Sequence, residues 1–146
     1  MNKIFVGLDV SKNDYKCCIL DGEGNRIGKV FALKNNACDS SVLAENLAMV
    51  CQDNAIDKIF IGYESTSVYG WHLQYFLVDC PVLKPFHPSV ICFNPKLIDA
   101  FKKTLGDLPK TDRMDAFVIA ERLRFGRLPN NEVIDFRYLA LQRLTR

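Results

Sequence analysis

The sequence of 146 residues has few of the groups that build zinc sites and serine-type catalytic triads. Its only two histidines are His72 and His87, and neither stands at a ligand spacing from a cysteine or an acid. The six cysteines contain no C-x-x-C pair, so neither a zinc site nor a disulfide framework is expected. We predict reduced thiols that pack as small hydrophobic groups.

Long apolar runs are also missing, and none approaches the ~20 residues that a membrane-spanning helix needs. The N-terminus reaches an acid, Asp9, too early for a secretory signal. Hydrophobic residues make up 49% of the chain and charged residues 25%, which is typical of one globular domain. We therefore expect a soluble protein of the cytoplasm with no membrane partner.

The net charge of +2 does not indicate a particular partner, but the two halves of the chain differ in charge. Residues 1–81 hold 7 Lys/Arg against 10 Asp/Glu, whereas residues 82–146 hold 12 against 7. This asymmetry favours an anionic partner along the second half, although a solvated basic face explains it equally well. Lys96, Lys102 and Lys103 illustrate both alternatives, because they could contact a nucleic-acid backbone or simply solvate a helix.

Hydrophobic periodicity predicts an α/β domain with a mixed sheet and helices on both faces. A three-stranded meander comes first, and a helix capped by Ser40 or Ser41 follows it. The alternation of strand and helix after that point requires crossovers and hence parallel pairing. The predicted strands are Ile4–Val10, Tyr15–Leu20, Arg26–Leu33, Lys58–Glu64 and Pro81–Phe86, and the later helices are Val68–Val78, Pro95–Leu105 and Thr111–Phe125.

The last stretch, Asn131–Arg146, has helical apolar spacing and ends without a stop signal. We therefore expect one domain over residues 1–128 and the beginning of a further helix over residues 129–146. A helix that breaks off in mid-pattern suggests the front part of a longer protein.

A repeated heptapeptide is the most informative feature of the chain. Lys3–Asp9 (KIFVGLD) is matched 55 positions later by Lys58–Glu64 (KIFIGYE). If the two strands lie parallel and adjacent, Asp9 and Glu64 emerge side by side at the edge where α/β sheets bind ligands. Two close carboxylates repel each other, and a hard divalent cation relieves that repulsion. The alternative is that both acids merely end buried strands.

A second pair of acids, Asp112 and Asp115, falls in the first turn of a predicted helix. Their spacing of three places them on one face, with Cβ atoms ~5–6 Å apart. Acids at this position also complement the helix dipole, so the pair alone does not establish a site. Together with Asp9 and Glu64, however, they could clamp two metal ions of the kind that phosphodiester chemistry uses. Lys110 and Arg113 bracket the pair and suit a phosphate-bearing substrate.

These residues resemble the DEDD transposases of bacterial insertion sequences. The resemblance spans nearly the whole chain, and its most specific block is Lys-Thr-Asp-Arg-x-Asp-Ala. One position departs from the pattern, since Ser67 stands where the family often has glycine. The motifs that carry the resemblance are Gly7–Lys12 (GLDVSK), Tyr63–Thr66 (YEST), Asn94-Pro95 and Lys110–Ala116 (KTDRMDA).

The resemblance implies a ribonuclease H-like fold similar to that of the RuvC Holliday-junction resolvase, with a five-stranded mixed sheet. It implies that four acids coordinate Mg²⁺, or Mn²⁺ in its place, at the scissile phosphate, and that three basic residues of the motifs contact nucleic acid. The acids are Asp9, Glu64, Asp112 and Asp115, and the basic residues are Lys12, Lys110 and Arg113.

The family's complete proteins continue through a coiled coil into a second domain that carries a catalytic serine. The resemblance thus implies DNA as the substrate, a structured guide RNA and a homo-oligomer. It also implies that residues 1–146 alone bind metal but cut DNA poorly.

Two other functions remain open from the sequence. An actin-like ATPase or sugar-kinase lobe also begins with Gly-x-Asp-x-Ser and a hairpin, but it needs a glycine-rich Asp-Gly phosphate loop. The chain's one Asp-Gly, Asp21-Gly22, falls in a predicted hairpin turn. A non-catalytic nucleic-acid-binding module would use the basic second half, although it gains nothing from four acids near phosphates.

Overall fold

The computed structural model describes residues 1–64, 71–108 and 115–129, which form five strands and four α-helices. The strands and helices alternate after an initial meander, as the sequence predicts. The strands are β1 (Lys3–Val10), β2 (Asp14–Asp21), β3 (Phe31–Lys34), β4 (Lys58–Glu64) and β5 (Ser89–Phe93), and the helices are α1 (Ala37–Asp53), α2 (Trp71–Val78), α3 (Pro95–Thr104) and α4 (Asp115–Phe125).

The five strands form one mixed sheet in the order β3-β2-β1-β4-β5. Strand β2 pairs antiparallel with both β1 and β3, whereas β1, β4 and β5 run parallel to one another. The repeated heptapeptides thus occupy the two neighbouring strands β1 and β4, as expected from their buried, continuously apolar sequences. The predicted α/β class and mixed sheet are confirmed.

Each face of the sheet carries its own hydrophobic core, because successive side chains of a strand point to opposite faces. Ile4, Val6 and Leu8 of β1 join one core with the buried residues of α1 and α2. Phe5 joins the other core, which includes residues of α3 and α4. Adjacent Cys17 and Cys18 divide between the two cores in the same way, and the structure has no disulfide among its cysteines.

The expected strand at Pro81–Phe86 is wrong. Lys84–Phe86 forms a single 3₁₀ turn, with Pro85 near its start, and the strand β5 follows at Ser89–Phe93. Pro81 and Pro85 lack the backbone N–H that a ladder with β4 would need, whereas Ser89–Phe93 contains no proline and pairs with β4.

Two element boundaries also differ from the predictions. The third strand is limited to Phe31–Lys34, and Arg26 contributes only an isolated bridge to Leu20. Helix α1 begins before the predicted serine cap, because the side chain of Asn36 accepts a hydrogen bond of 2.8 Å from the backbone N–H of Asp39. Asparagine at an N-cap satisfies an otherwise unpaired donor of the first turn.

Several predictions fall outside the described residues, namely the helix over residues 131–146, the start of the helix at residue 68 and the segment 111–114. The division into residues 1–128 and 129–146 therefore stays a prediction. Within the described part of the chain, no helix is long and apolar enough to cross a membrane.

Candidate functional site

Asp9 and Glu64 lie side by side where the two central strands end. The parallel register of β1 and β4 pairs Gly7 with Gly62 and Leu8 with Tyr63, so the next residue of each strand is a carboxylate. This edge of the sheet contains the carboxyl ends of parallel strands, the usual position of ligands in α/β proteins. The juxtaposition that the repeated heptapeptides predict is confirmed.

Both carboxylates belong to the face of the sheet that helix α4 covers. Phe5 and Phe60, four residues before each acid, stack with ring centroids 5.5 Å apart on that face. A Cβ atom built at Gly7 would lie 2.0 Å from the carbonyl oxygen of Ala116, so α4 rests directly on the backbone of β1. The glycine of the motif is therefore required for the close approach of this helix.

This packing places Asp115, the first residue of α4, close to the two strand carboxylates. Its side chain is 50% exposed, and its Oδ1 lies 3.4 Å from Nζ of Lys102 on α3. Asp112, Lys110 and Arg113 lie outside the described residues, so the structure brings together three of the four predicted acids. Lys12 is exposed in the connection between β1 and β2, at the same end of the sheet.

The electrostatics of the three carboxylates show that they share one environment. Partial burial and the negative charge of Asp115 raise the pKa of Asp9, and Lys16 opposes that shift. Burial also raises the pKa of Glu64, followed by repulsion from Asp115, Asp9 and Asp99, while Lys102 opposes it. Close like charges that are partly removed from water are the expected cause of such shifts.

The donor chemistry of this site fits a hard divalent cation. Carboxylate oxygens are the ligands that Mg²⁺ and Mn²⁺ prefer, and a cation would relieve the repulsion that adds to burial in raising the pKa values of Asp9 and Glu64. Among residues 1–64, 71–108 and 115–129, however, no three acidic, histidine or cysteine side chains form a closed ligand group as they stand. Asp112 is not among these residues, and Asp115 is engaged by Lys102.

The shifts in pKa predict that Glu64→Gln stabilises the metal-free protein at pH 7.5. Because the folded-state pKa of Glu64 lies above its ordinary value, stability is greatest below the ordinary pKa and falls as the pH rises through the folded-state pKa. Glutamine carries no charge, so the variant keeps the stability that wild type loses when Glu64 ionises. Because the group is partly solvated, we expect a gain in melting temperature of about 1–3 °C. The measurement is thermal unfolding in EDTA from pH 3.5 to pH 8.

The gain should vanish below about pH 4, where the wild-type carboxyl is also neutral. Glu45→Gln, at an exposed position on the helix α1 of the other face, provides the matched control and should show no such pH-dependent gain. A lower melting temperature for Glu64→Gln than for wild type at pH 7.5 would contradict this interpretation.

The structure brings three further charged residues to the site, of which the sequence indicated only Lys102, as a residue that contacts a nucleic-acid backbone or solvates a helix. Lys16 pairs with Asp9 across the ladder of β1 and β2, and Asp99 and Lys102 come from α3. Asp99 and Lys102 are three residues apart on α3 and so share a face of that helix, and the packing of α3 beside α4 brings this face to the site.

Known proteins resemble this chain in sequence and in fold. A family model described as a transposase, the IS110 type of DEDD transposase, matches residues 6–146. The pilin gene-inverting proteins of Moraxella bovis and Moraxella lacunata are each 25% identical over 130 residues, which covers 89% of this chain. The chain spans only 36% of the length of these relatives.

Two solved structures of RuvC from Thermus thermophilus share the fold. One, in complex with a Holliday junction substrate, has a TM-score of 0.53 and 12% identity, covering 86% of this chain and 98% of RuvC. The other has a TM-score of 0.50 and 13% identity over the same shares. These likenesses confirm the predicted ribonuclease H-like fold, and the match over residues 6–146 shows that the chain belongs to the DEDD transposase family.

Proposed function

We propose that this chain is the metal-dependent nuclease domain of a DNA transposase or recombinase, which cleaves and joins phosphodiester bonds. The observation that carries the proposal is the convergence of Asp9, Glu64 and Asp115 from three separate elements at the carboxyl end of the central strands. Family membership and the RuvC-like fold support the same class of activity. DNA as the substrate has additional support from the neighbour that was solved with a Holliday junction.

In this proposal Asp9, Glu64 and Asp115, together with Asp112, hold Mg²⁺ or Mn²⁺. Such an ion, when bound, stabilises the charge that develops on the phosphate oxygens during cleavage. The chain's own contribution is to fix the carboxylates on rigid elements: β1 and β4 hold Asp9 and Glu64 in register, and α4 carries Asp115 against Gly7. Lys12, Lys110 and Arg113 supply positive charge for the DNA backbone.

The complete reaction belongs, in our proposal, to a longer protein of the bacterial cytoplasm that assembles as a homo-oligomer. The relatives are named for inverting a pilin gene, and this chain spans 36% of their length. Inversion requires coordinated cleavage and joining at two sites, which favours an oligomer. The further domain, the attacking serine and the guide RNA remain predictions from the family resemblance.

The test is isothermal titration of the chain with Mn²⁺ at pH 7.5. We expect wild type to bind Mn²⁺ and Asp9→Asn to bind it at least tenfold more weakly, because one carboxylate ligand loses its charge. Glu45→Gln removes the same charge on the opposite face of the sheet and should bind as wild type does. No heat of binding in wild type, or equal losses in the two variants, would overturn the proposed metal site.

A non-catalytic nucleic-acid-binding module predicts a different result. Such a protein would bind branched DNA equally well with and without Mg²⁺, and Asp9→Asn would leave any response to Mg²⁺ unchanged. Fluorescence anisotropy with a labelled four-way junction distinguishes the two functions.

A further inference from the structure

Two lysines flank the three carboxylates from opposite sides. Lys102 lies on α3, and its Nζ is 3.4 Å from Oδ1 of Asp115. Lys16 lies on β2 directly opposite Asp9 in the antiparallel ladder, and residues that are directly opposite share a face of the sheet. The acidic site is therefore bordered by one positive charge on the β2 side and one on the α3 side.

The position of Lys102 is fixed by the way α3 begins and packs. Asn94 caps the helix by accepting a hydrogen bond of 2.9 Å from the backbone N–H of Lys96, and Pro95 occupies the first turn. Ile98 of α3 is buried in the core that α4 shares, so the helix presents a fixed face to α4. The neighbouring Lys103 lies about 100° further around the helix and points in a different direction.

The contact between Lys102 and Asp115 is one that a metal ion would disturb. Both side chains are about half exposed, at 44% and 50%, so the ion pair is weak and solvent screens it. A divalent cation that engages Asp115 competes with the ammonium group for the same carboxylate. The lysine, once displaced, remains beside the site with its charge available to an anion.

We infer that Lys102 forms an ion pair with Asp115 in the metal-free protein and contacts a DNA phosphate instead when metal binds. Lys16 contacts a second phosphate on the other side of the carboxylates. The DNA strand then crosses the end of the sheet from β2 towards α3. This inference rests on the proposed function, because it assigns the role of two residues beside the same metal site. Both lysines then bind the DNA backbone directly, and neither contributes a ligand to the metal.

The inference predicts two effects of opposite sign for one substitution. Lys102→Gln should bind Mn²⁺ about two- to fivefold more tightly, because a competitor for Asp115 is removed. The same variant should bind DNA about three- to tenfold more weakly at low salt, with a salt slope reduced by about one, because one phosphate contact is lost. A purely structural role for Lys102 would not raise the affinity for metal while lowering the affinity for DNA.

The experiment combines titration with Mn²⁺ and anisotropy of a fluorescein-labelled four-way DNA junction, measured at several salt concentrations. Lys103→Gln is the control for Lys102→Gln, because it removes the same charge from the next residue of the same helix. Lys29→Gln serves the same purpose for Lys16→Gln, since Lys29 is exposed in the connection before β3. Lys102→Arg should restore most of the affinity for DNA because it keeps the charge.

The outcomes separate this inference from the proposed function. If wild type binds Mn²⁺ and Asp9→Asn abolishes that binding, but Lys102→Gln and Lys103→Gln behave alike, the role of Lys102 is overturned and the metal site stands. If wild type binds no Mn²⁺, the proposed metal site and the exchange at Asp115 both fail. In that case, a loss of DNA affinity in Lys16→Gln and Lys102→Gln, but not in Lys29→Gln and Lys103→Gln, would still support the proposed path of the DNA strand across the end of the sheet.

Discussion

Asp9→Asn is expected to change the binding of DNA in opposite directions, depending on whether Mn²⁺ is present. Without metal, the variant should bind a four-way junction about two- to fivefold more tightly than wild type, because one negative charge that repels phosphates is removed. With Mn²⁺, wild type should gain at least tenfold in affinity, whereas the variant should gain little. Any Mn²⁺-dependent nicking of supercoiled DNA should fall to background in the variant.

The physical reason lies in the position of Asp9 between its neighbours. Its carboxylate is partly buried and is repelled by Asp115. A bound cation would therefore interact favourably with the charge of Asp9, which the neutral side-chain amide of Asp9→Asn does not carry. Fluorescence anisotropy of one labelled junction, in EDTA and in Mn²⁺, measures the affinity for DNA under both conditions. Glu45→Gln should reproduce wild type in each buffer, and an equal response of Asp9→Asn and wild type to Mn²⁺ would contradict the assignment of Asp9.

The sequence specified the centre of the fold and two of the acids because they depend on local patterns. Two matched apolar heptapeptides indicated two central strands buried on both faces, and if these strands are parallel and adjacent, as the structure shows, the carboxylates at their ends lie side by side. The glycine in each heptapeptide, two residues before the acid, leaves room for another element to approach the backbone. Which element does so could not be deduced, because the packing of α4 on Gly7 depends on contacts between residues more than 100 positions apart.

The strand β5 was missed for a related reason. Ser89–Phe93 is a short apolar run, and periodicity alone does not distinguish such a run from part of a buried helix. The hydrogen bonds of its parallel pairing with β4 make this run a strand rather than part of a helix. The role that we propose for Lys102 could not be deduced from the sequence either, because Lys102 and Lys103 are equivalent in sequence and differ only in the direction that each takes from α3.

Gly7→Ala is expected to destabilise the protein by about 2–3 kcal/mol or more, which is the upper range for overpacking a core. The added Cβ would lie 2.0 Å from the carbonyl oxygen of Ala116 and 2.6 Å from the backbone nitrogen of Ala120. Both atoms belong to the backbone of α4, so no change of rotamer relieves the clash and the whole helix must move away from β1. Urea unfolding followed by circular dichroism measures the loss.

The movement of α4 should also weaken the metal site, because Asp115 is the first residue of the displaced helix. We therefore expect Gly7→Ala to bind Mn²⁺ more weakly than wild type under conditions where both remain folded, although no ligand has been substituted. Misplacement of about 1 Å in a site of this kind is enough to cost a large part of its function. Unchanged affinity for Mn²⁺ in a folded Gly7→Ala variant would contradict the expected coupling between the Gly7 contact and the metal site.

Two further glycines set the scale for this prediction. A Cβ at Gly62 would meet side-chain atoms, Cε2 of Phe93 at 2.8 Å and a methyl carbon of Leu123 at 3.1 Å, and side chains can shift more easily than a helix backbone. Gly62→Ala should therefore cost about 1–2 kcal/mol. A Cβ at Gly22 would meet nothing within 4 Å, so Gly22→Ala should stay within about 0.5 kcal/mol of wild type. A larger loss in Gly62→Ala than in Gly7→Ala would mean that the contact between α4 and β1 is not the tightest constraint on the site.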